Sequence, residues 1–217
     1  MTGISKDYIT GYLRGLYENN DPFLTELRRY AEENEIPIIE RESLAVLELM
    51  VAMKKPKEIL EIGTAIGYST IAMAKSFDKS IIRTIDIDEE NLSIAIRNIK
   101  KAGLEDRVKF SWGDAGDILD ELEGKYDLVF IDAAKSHYRH YFEACLKITN
   151  EDAVIISDNV LFKGLIANDD LVNRRARTLV RHMRDYLEFL THSDDFKTAV
   201  LPVGDGIAIT QLGFKKE

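Results

Sequence analysis

The chain has 217 residues, 45% of them hydrophobic and 31% charged, with a formal net charge of −9. That length suits one domain, spanning 1–217, with a full hydrophobic core, and no apolar run approaches the roughly 20 residues of a membrane-spanning helix. The acidic balance argues against broad, non-specific nucleic-acid binding, which relies on cationic neutralisation of phosphates. A single cysteine, Cys145, excludes an intramolecular disulfide, and the N-terminus lacks the basic and apolar regions of a secretory signal. A cytoplasmic location is expected.

Residues 1–55 are predicted to form a helical cap. Asp21-Pro22 reads as an N-cap followed by proline at the first helical position, with a helix to about Asn34. A second helix starts near Glu40 and carries Leu44, Leu47 and Val51 at helical spacing. The segment 36–39 between them, Ile-Pro-Ile-Ile, is too apolar for a solvated loop and is expected across the mouth of a site.

From residue 58 the pattern alternates. Strands are predicted at 58–62, 81–86, 108–112, 126–131 and 153–157, separated by helices at 69–77, 89–102, 115–122 and 136–148. This βαβ rhythm implies a parallel sheet with helices on both faces, in which all strand ends open on the side where ligands bind. An irregular stretch follows Asn159, then a long helix from Leu171 to about His192. Two strands, 198–203 and 207–211, joined by Gly204-Asp205-Gly206, form a closing antiparallel hairpin.

The strand ends carry the chemistry. Gly63 and Gly67 flank the turn after the first strand, where glycine lets the backbone approach a ligand and the next helix offers free N–H groups; a plain tight turn is the alternative. The spacing fits neither G-x-G-x-x-G nor G-x-x-x-x-G-K-[ST]. Asp86 closes the second strand, where an acid commonly accepts hydrogen bonds from ribose hydroxyls. Asp88 is the better N-cap candidate for the following helix. Gly113-Asp114 ends the third strand and offers a carboxylate to an adenine amino group, unless it is a simple turn or cap.

Asp132, Asp158 and Asn159 lie just past the fourth and fifth strands. Three oxygen ligands without a cysteine pair or histidine motif suit Mg²⁺ or Ca²⁺ rather than zinc, although each residue alone could be a cap or turn. Lys135, three residues after Asp132, is placed to remove a proton from a hydroxyl or to pair with the oxyanion; a solvated lysine is the default. His137 and His140 share a helix face with aromatic neighbours and read as packing, and Cys145 as core. Between Asn173 and Arg184 stand five arginines and no acid. Arg174, Arg177, Arg181 and Arg184 are expected to stripe one helix face, either solvated or as a polyanion contact that Lys163 extends.

The glycine turn, Asp132-x-x-Lys135 and Asp158-Asn159 together resemble the divalent-metal-dependent O-methyltransferases of the catechol and caffeoyl-coenzyme A type. Within that family the chain looks most similar to the bacterial tRNA 5-hydroxyuridine methyltransferases, through residues 31–40, 158–165 and 201–209. The resemblance implies a Rossmann-like class I methyltransferase fold: α/β, with a seven-stranded, mostly parallel sheet ending in a reversed hairpin. It implies S-adenosylmethionine among Ile39, Gly63, Ser69, Asp86, Asp114 and Asp132, and Mg²⁺ on Asp132, Asp158 and Asn159. Lys135 is then the implied base. Asp86 stands where some relatives carry the longer Glu. The implied reaction is methylation of 5-hydroxyuridine at the tRNA wobble position to 5-methoxyuridine, by an enzyme that is a homodimer. A catechol or caffeoyl-CoA-like small molecule is the alternative acceptor, and a binding module without catalysis is the non-enzymatic one.

Overall fold

A computed structural model describes residues 4–16 and 21–214. Seven strands form one sheet: β1 (Glu58–Ile62), β2 (Ile81–Asp86), β3 (Val108–Trp112), β4 (Tyr126–Ile131), β5 (Thr149–Ser157), β6 (Phe196–Leu201) and β7 (Ile207–Leu212). Their order is β3-β2-β1-β4-β5-β7-β6, parallel through β5, with β7 antiparallel to both β5 and β6. The helices are α1 (Asp7–Leu16), α2 (Pro22–Glu33), α3 (Arg41–Lys54), α4 (Tyr68–Ser76), α5 (Glu89–Lys101), α6 (Ala115–Glu121), α7 (Tyr138–Ile148) and α8 (Arg177–His192). Among the described residues no helix is long and apolar enough to cross a membrane.

Strand alternation sends Ile59, Ile82, Phe130 and Ile156 to one face, under α2, α3 and α4, and Leu60, Ile85, Val129 and Ile155 to the other, under α6, α7 and α8. Both faces are therefore dry, as a parallel sheet requires, and the strands read as apolar runs. Local chemistry sets the helix starts. Asp21 accepts from Phe23 N at 2.9 Å and Asp88 from Asn91 N at 2.9 Å, each satisfying an amide that the helix leaves unpaired.

Three expectations change. The first hairpin strand lies at Phe196–Leu201 rather than 198–203. The fifth strand begins four residues earlier than predicted, at Thr149. More consequentially, α8 starts at Arg177 rather than Leu171. Two asparagines interrupt the helix: Asn168 Oδ1 accepts from Asp170 N, and Asn173 Oδ1 from Arg175 N and Ala176 N, at 2.9–3.0 Å. Side-chain bonds of this kind offer the backbone an alternative to helix. Arg174 thus lies outside α8, and the expected four-arginine stripe is reduced to Arg177, Arg181 and Arg184 on the helix.

Sheet order places the topological switch between β1, whose chain moves next to β2, and β4, whose chain moves to β5. Register pairs Ile62 with Ile131 and Ile131 with Ser157. Gly63, Asp132 and Asp158 consequently leave the sheet side by side, Asp132 N donating to Ile62 O at 2.9 Å and Asp158 N to Ile131 O at 3.0 Å. Gly63 holds φ +102°, and a Cβ there would stand 1.9 Å from the Asp132 carbonyl oxygen. Glycine is required twice over, by conformation and by contact. Gly63→Ala is expected to cost about 3 kcal/mol or more in urea unfolding; a loss below about 1 kcal/mol would show that the two strand ends have room to separate.

Candidate active site

A cavity of about 560 Å³ opens over the C-terminal ends of β1 to β4. Its walls come from Pro37, Ile38 and Ile39, the Gly63–Ala65 turn with Tyr68 and Ser69, Asp86, Gly113-Asp114, Asp132–Lys135, His137, Tyr141 and Asn159. The apolar 36–39 segment does lie at the mouth. Arg28, a buried residue of α2, holds it there: Nη2 donates to Ile39 O at 2.6 Å, Nε donates to the Tyr68 hydroxyl at 3.2 Å, and the guanidinium stacks 4.8 Å from the Tyr68 ring centroid.

The acids of the cavity are already oriented. Asp86 Oδ2 accepts from Thr64 N and Ala65 N at 2.9 and 2.7 Å, and Oδ1 from Asp88 N at 2.9 Å. A carboxylate has about four acceptor positions, so one remains for a ligand hydroxyl. Asp114 caps α6 through Gly116 N at 2.8 Å while lining the cavity; cap and ligand-facing carboxylate are here compatible.

Asp132 faces the cavity, whereas Asp158 lies behind it with no exposed surface. Burial raises the Asp132 carboxyl above its usual range, and Lys135 pulls it back. Asp158 is driven well above that range by burial and then by Asp132, against the Asn159 amide, Lys135 and Ser43. Asp158 Oδ1 accepts from Asn159 N at 2.8 Å, and the Tyr138 hydroxyl donates to its carbonyl at 3.0 Å, but Oδ2 has no partner. Lys135 Nζ reaches Asn159 Oδ1 at 3.5 Å and lies 6.0 Å from the Phe162 ring centroid. Two mutually repelling carboxyls with an orphaned buried oxygen and a carboxamide oxygen lack positive charge, which a hard divalent ion would supply. The three candidate donors, Asp132, Asp158 and Asn159, offer only oxygen and include neither histidine nor cysteine, which suits a hard ion rather than a softer metal. The residues fit Mg²⁺.

A sequence model of the O-methyltransferase family matches residues 16–212. The chain belongs to the O-methyltransferase family. It is 32% identical over 205 residues to a caffeoyl-CoA O-methyltransferase of Stellaria longipes, covering 88% of this chain and 84% of the relative. Among solved structures, a Staphylococcus aureus protein provisionally assigned as a caffeoyl-CoA O-methyltransferase superposes with a TM-score of 0.89, at 33% identity over 95% of this chain and all of that one. A Bacillus cereus O-methyltransferase solved with S-adenosylhomocysteine gives 0.82, at 28% identity over 94% and 97% of the two chains.

The basic residues expected to meet a polyanion fall outside the cavity lining. Lys163, Arg174, Arg177 and Arg181 are exposed. Arg184 is a structural brace, its Nε donating to Ile166 O at 2.8 Å and its Nη2 pairing with Asp169 at 2.7 Å. His137 and His140 pack on Tyr141, and Cys145 is buried.

One element of this O-methyltransferase site was not singled out in the sequence. Glu61, in the middle of β1 and fully buried, accepts from Ser69 Oγ and Thr84 Oγ1 at 2.6 Å each, and from Thr70 Oγ1. Thr64 Oγ1 meets Thr84 Oγ1 at 2.5 Å and, because Thr84 gives its proton to Glu61, must be the donor. When Glu61 is ionised, Ser69 likewise gives its proton to that carboxylate and turns acceptor lone pairs to the cavity; a protonated Glu61 itself donates to one of these hydroxyls. The available signal was a glutamate inside an apolar strand, in register with Thr84.

Burial pushes the Glu61 carboxyl up to about 7 from an ordinary 4.5, with the three hydroxyls opposing and Asp132 adding. The native state therefore keeps a proton that the unfolded chain loses between those values. The group's stabilising contribution is complete below pH 4.5 and is lost as pH rises through 7. Glu61→Gln is neutral throughout, so its stability relative to wild type should improve by about 3 kcal/mol between the two ends of that window. Parallel pH–stability profiles from chemical denaturation would contradict the assignment.

Proposed function

We propose that the protein transfers a methyl group from S-adenosylmethionine to an aromatic hydroxyl with a neighbouring oxygen, in the presence of Mg²⁺, and that its acceptor is 5-hydroxyuridine at the wobble position of tRNA. The observation carrying the chemical part is the orphaned Asp158 Oδ2 beside Asp132 and Asn159, one wall away from a cofactor-sized cavity. The S-adenosylhomocysteine held by the Bacillus cereus relative supports the donor.

S-Adenosylmethionine supplies an electrophilic methyl on a sulfonium. A bound divalent ion supplies Lewis acidity that makes an acceptor hydroxyl more acidic and fixes its direction. Asp132, Asp158 and Asn159 would hold that ion. Lys135 Nζ, which donates to Asn159 Oδ1, pairs as an ammonium with the oxyanion, or takes the hydroxyl proton once it has released its own proton to solvent. Asp86 and Asp114 hold the nucleoside, and Ser69, whose proton goes to an ionised Glu61, offers an acceptor oxygen to the donor's ammonium. Ile38 and Ile39 exclude water from the transfer path. Fixing both reactants in one orientation supplies much of the rate.

For the acceptor, 5-hydroxyuridine presents its 5-hydroxyl and 4-carbonyl as adjacent oxygens, and an anticodon-loop base can be splayed out without opening a duplex. Arg174, Arg177 and Arg181, exposed on a chain of net charge −9, suit the flanking phosphates, with Lys163 in the loop after Asn159. A second reading, a caffeoyl-CoA-like or catechol small molecule, is favoured by the 32% identity to the plant enzyme.

Methyl-labelled S-adenosylmethionine offered with 5-hydroxyuridine-containing tRNA or with a catechol, with and without Mg²⁺, separates them. Label should enter tRNA only when Mg²⁺ is present. The triple variant R174A/R177A/R181A should lose roughly tenfold or more in kcat/KM for tRNA, because each lost phosphate contact weakens binding, and should keep any catechol turnover. Label entering only the catechol would replace the tRNA proposal with the second reading.

A further inference from the structure

Sheet register fixes the strand ends, but the mouth of the cavity is made by a segment outside the sheet. α2 ends in a turn in which Glu35 adopts φ +55° and Ile36 N donates to Ala31 O at 2.9 Å. That closure ordinarily has glycine at its left-handed position. Beyond the turn, little holds the backbone. Pro37 has no N–H to give. Among the described residues, the single hydrogen bond made by 37–39 runs from Arg28 Nη2 to Ile39 O, at 2.6 Å.

Arg28 is a demanding residue to place there. Its side chain is 8% exposed, and a buried charge normally requires an ionic partner. Among the described residues the one acid paired with it, Glu32, stands 3.8 Å from Nη1 and is itself 61% exposed. The guanidinium instead serves neutral groups on two other elements. Besides Ile39 O it reaches the Tyr68 hydroxyl through Nε at 3.2 Å, and it lies 4.8 Å from the centroid of that ring. Arginine cannot accept, so the tyrosine oxygen does. Tyr68 opens α4 directly after Gly67, and it lines the same cavity as Ile38 and Ile39. An apolar side chain could fill this space without desolvating a cation. Only a rigid fork of donors can also fix the spacing of Ile39 and Tyr68.

We propose that Arg28 is a positioning residue for S-adenosylmethionine, a clamp that presets the Ile38-Ile39 wall against Tyr68 so that the donor enters a cavity already formed. Arg28 is not among the residues lining the cavity and acts through those that do. A site whose binding-competent arrangement is fully populated escapes the loss of affinity that partial population imposes. The assignment rests on the methyl donor named above.

Calorimetric titration of the full chain with S-adenosylhomocysteine, well below the Tm of every variant, tests the clamp without any acceptor. Arg28→Met keeps the aliphatic stem, removes the fork and should weaken binding by about tenfold. Tyr68→Phe keeps the ring and should weaken it by about threefold. The losses should not add: R28M/Y68F should bind like R28M, because both changes break one contact. Arg28→Lys keeps the charge without the fork and should recover only part of the loss. A merely structural arginine would lower Tm and leave the affinity of the folded protein unchanged, which overturns the proposal. Additive losses overturn it too, as does full recovery by R28K, which would make charge alone the cause. Should R28M fail to fold, weakened binding by both R28K and Y68F supports the clamp, and unchanged binding by either overturns it. If wild type does not bind S-adenosylhomocysteine, the donor reading fails and Arg28 with it; if wild type binds and R28M matches it, only Arg28 fails.

Discussion

The contact between Gly63 and the Asp132 carbonyl is the constraint from which the site follows. Two parallel strands that diverge after their last pair leave a crevice, and here they diverge from backbones nearly in touch. Because Asp132 N also donates to Ile62 O, the carboxylate after β4 is fixed relative to the glycine turn after β1. β5 continues the arrangement one step outward, through Asp158 N and Ile131 O. Side chains far apart in sequence are therefore positioned by sheet register, which is stiffer than any loop. Loops at such an end can vary while the strand ends stay put.

Around this rim the protein places polar groups in a dry interior at evident cost. Glu61 is satisfied by three hydroxyls and still retains its proton toward neutrality. Asp132 is raised by burial, and Asp158 by burial and then by Asp132, with Lys135 opposing both. The two cases differ in kind. Glu61 has internal partners and stiffens the turn that meets the cofactor, whereas Asp158 keeps an oxygen in reserve. A folded core tolerates such a reserve where something outside the chain completes it.

Much of this was legible in the sequence because parallel strands and their ends obey simple rules. β1 to β4 occupy the predicted ranges since each is a short apolar run bounded by polar or glycine residues, and the proline-containing segment 36–39 betrayed its position by being too apolar for solvent. What escaped depends on contacts between distant segments. Arg28 looks like any helix-surface arginine until α2 packs its guanidinium against Ile39 and Tyr68. The start of α8 was misjudged for a local reason: charge spacing suggested a helix face, while Asn168 and Asn173 were spending their side chains on backbone amides.

Convergence of three side chains from two strand ends on one cation is the claim with most at stake. Crystals grown with S-adenosylhomocysteine and Mn²⁺, measured at the manganese edge, would display the ion directly by anomalous scattering. One peak bonded to side-chain oxygens of Asp132, Asp158 and Asn159, facing the sulfur of the product, is the predicted map. A manganese peak bonded to none of these three, in a protein whose cavity holds the product, would contradict the account.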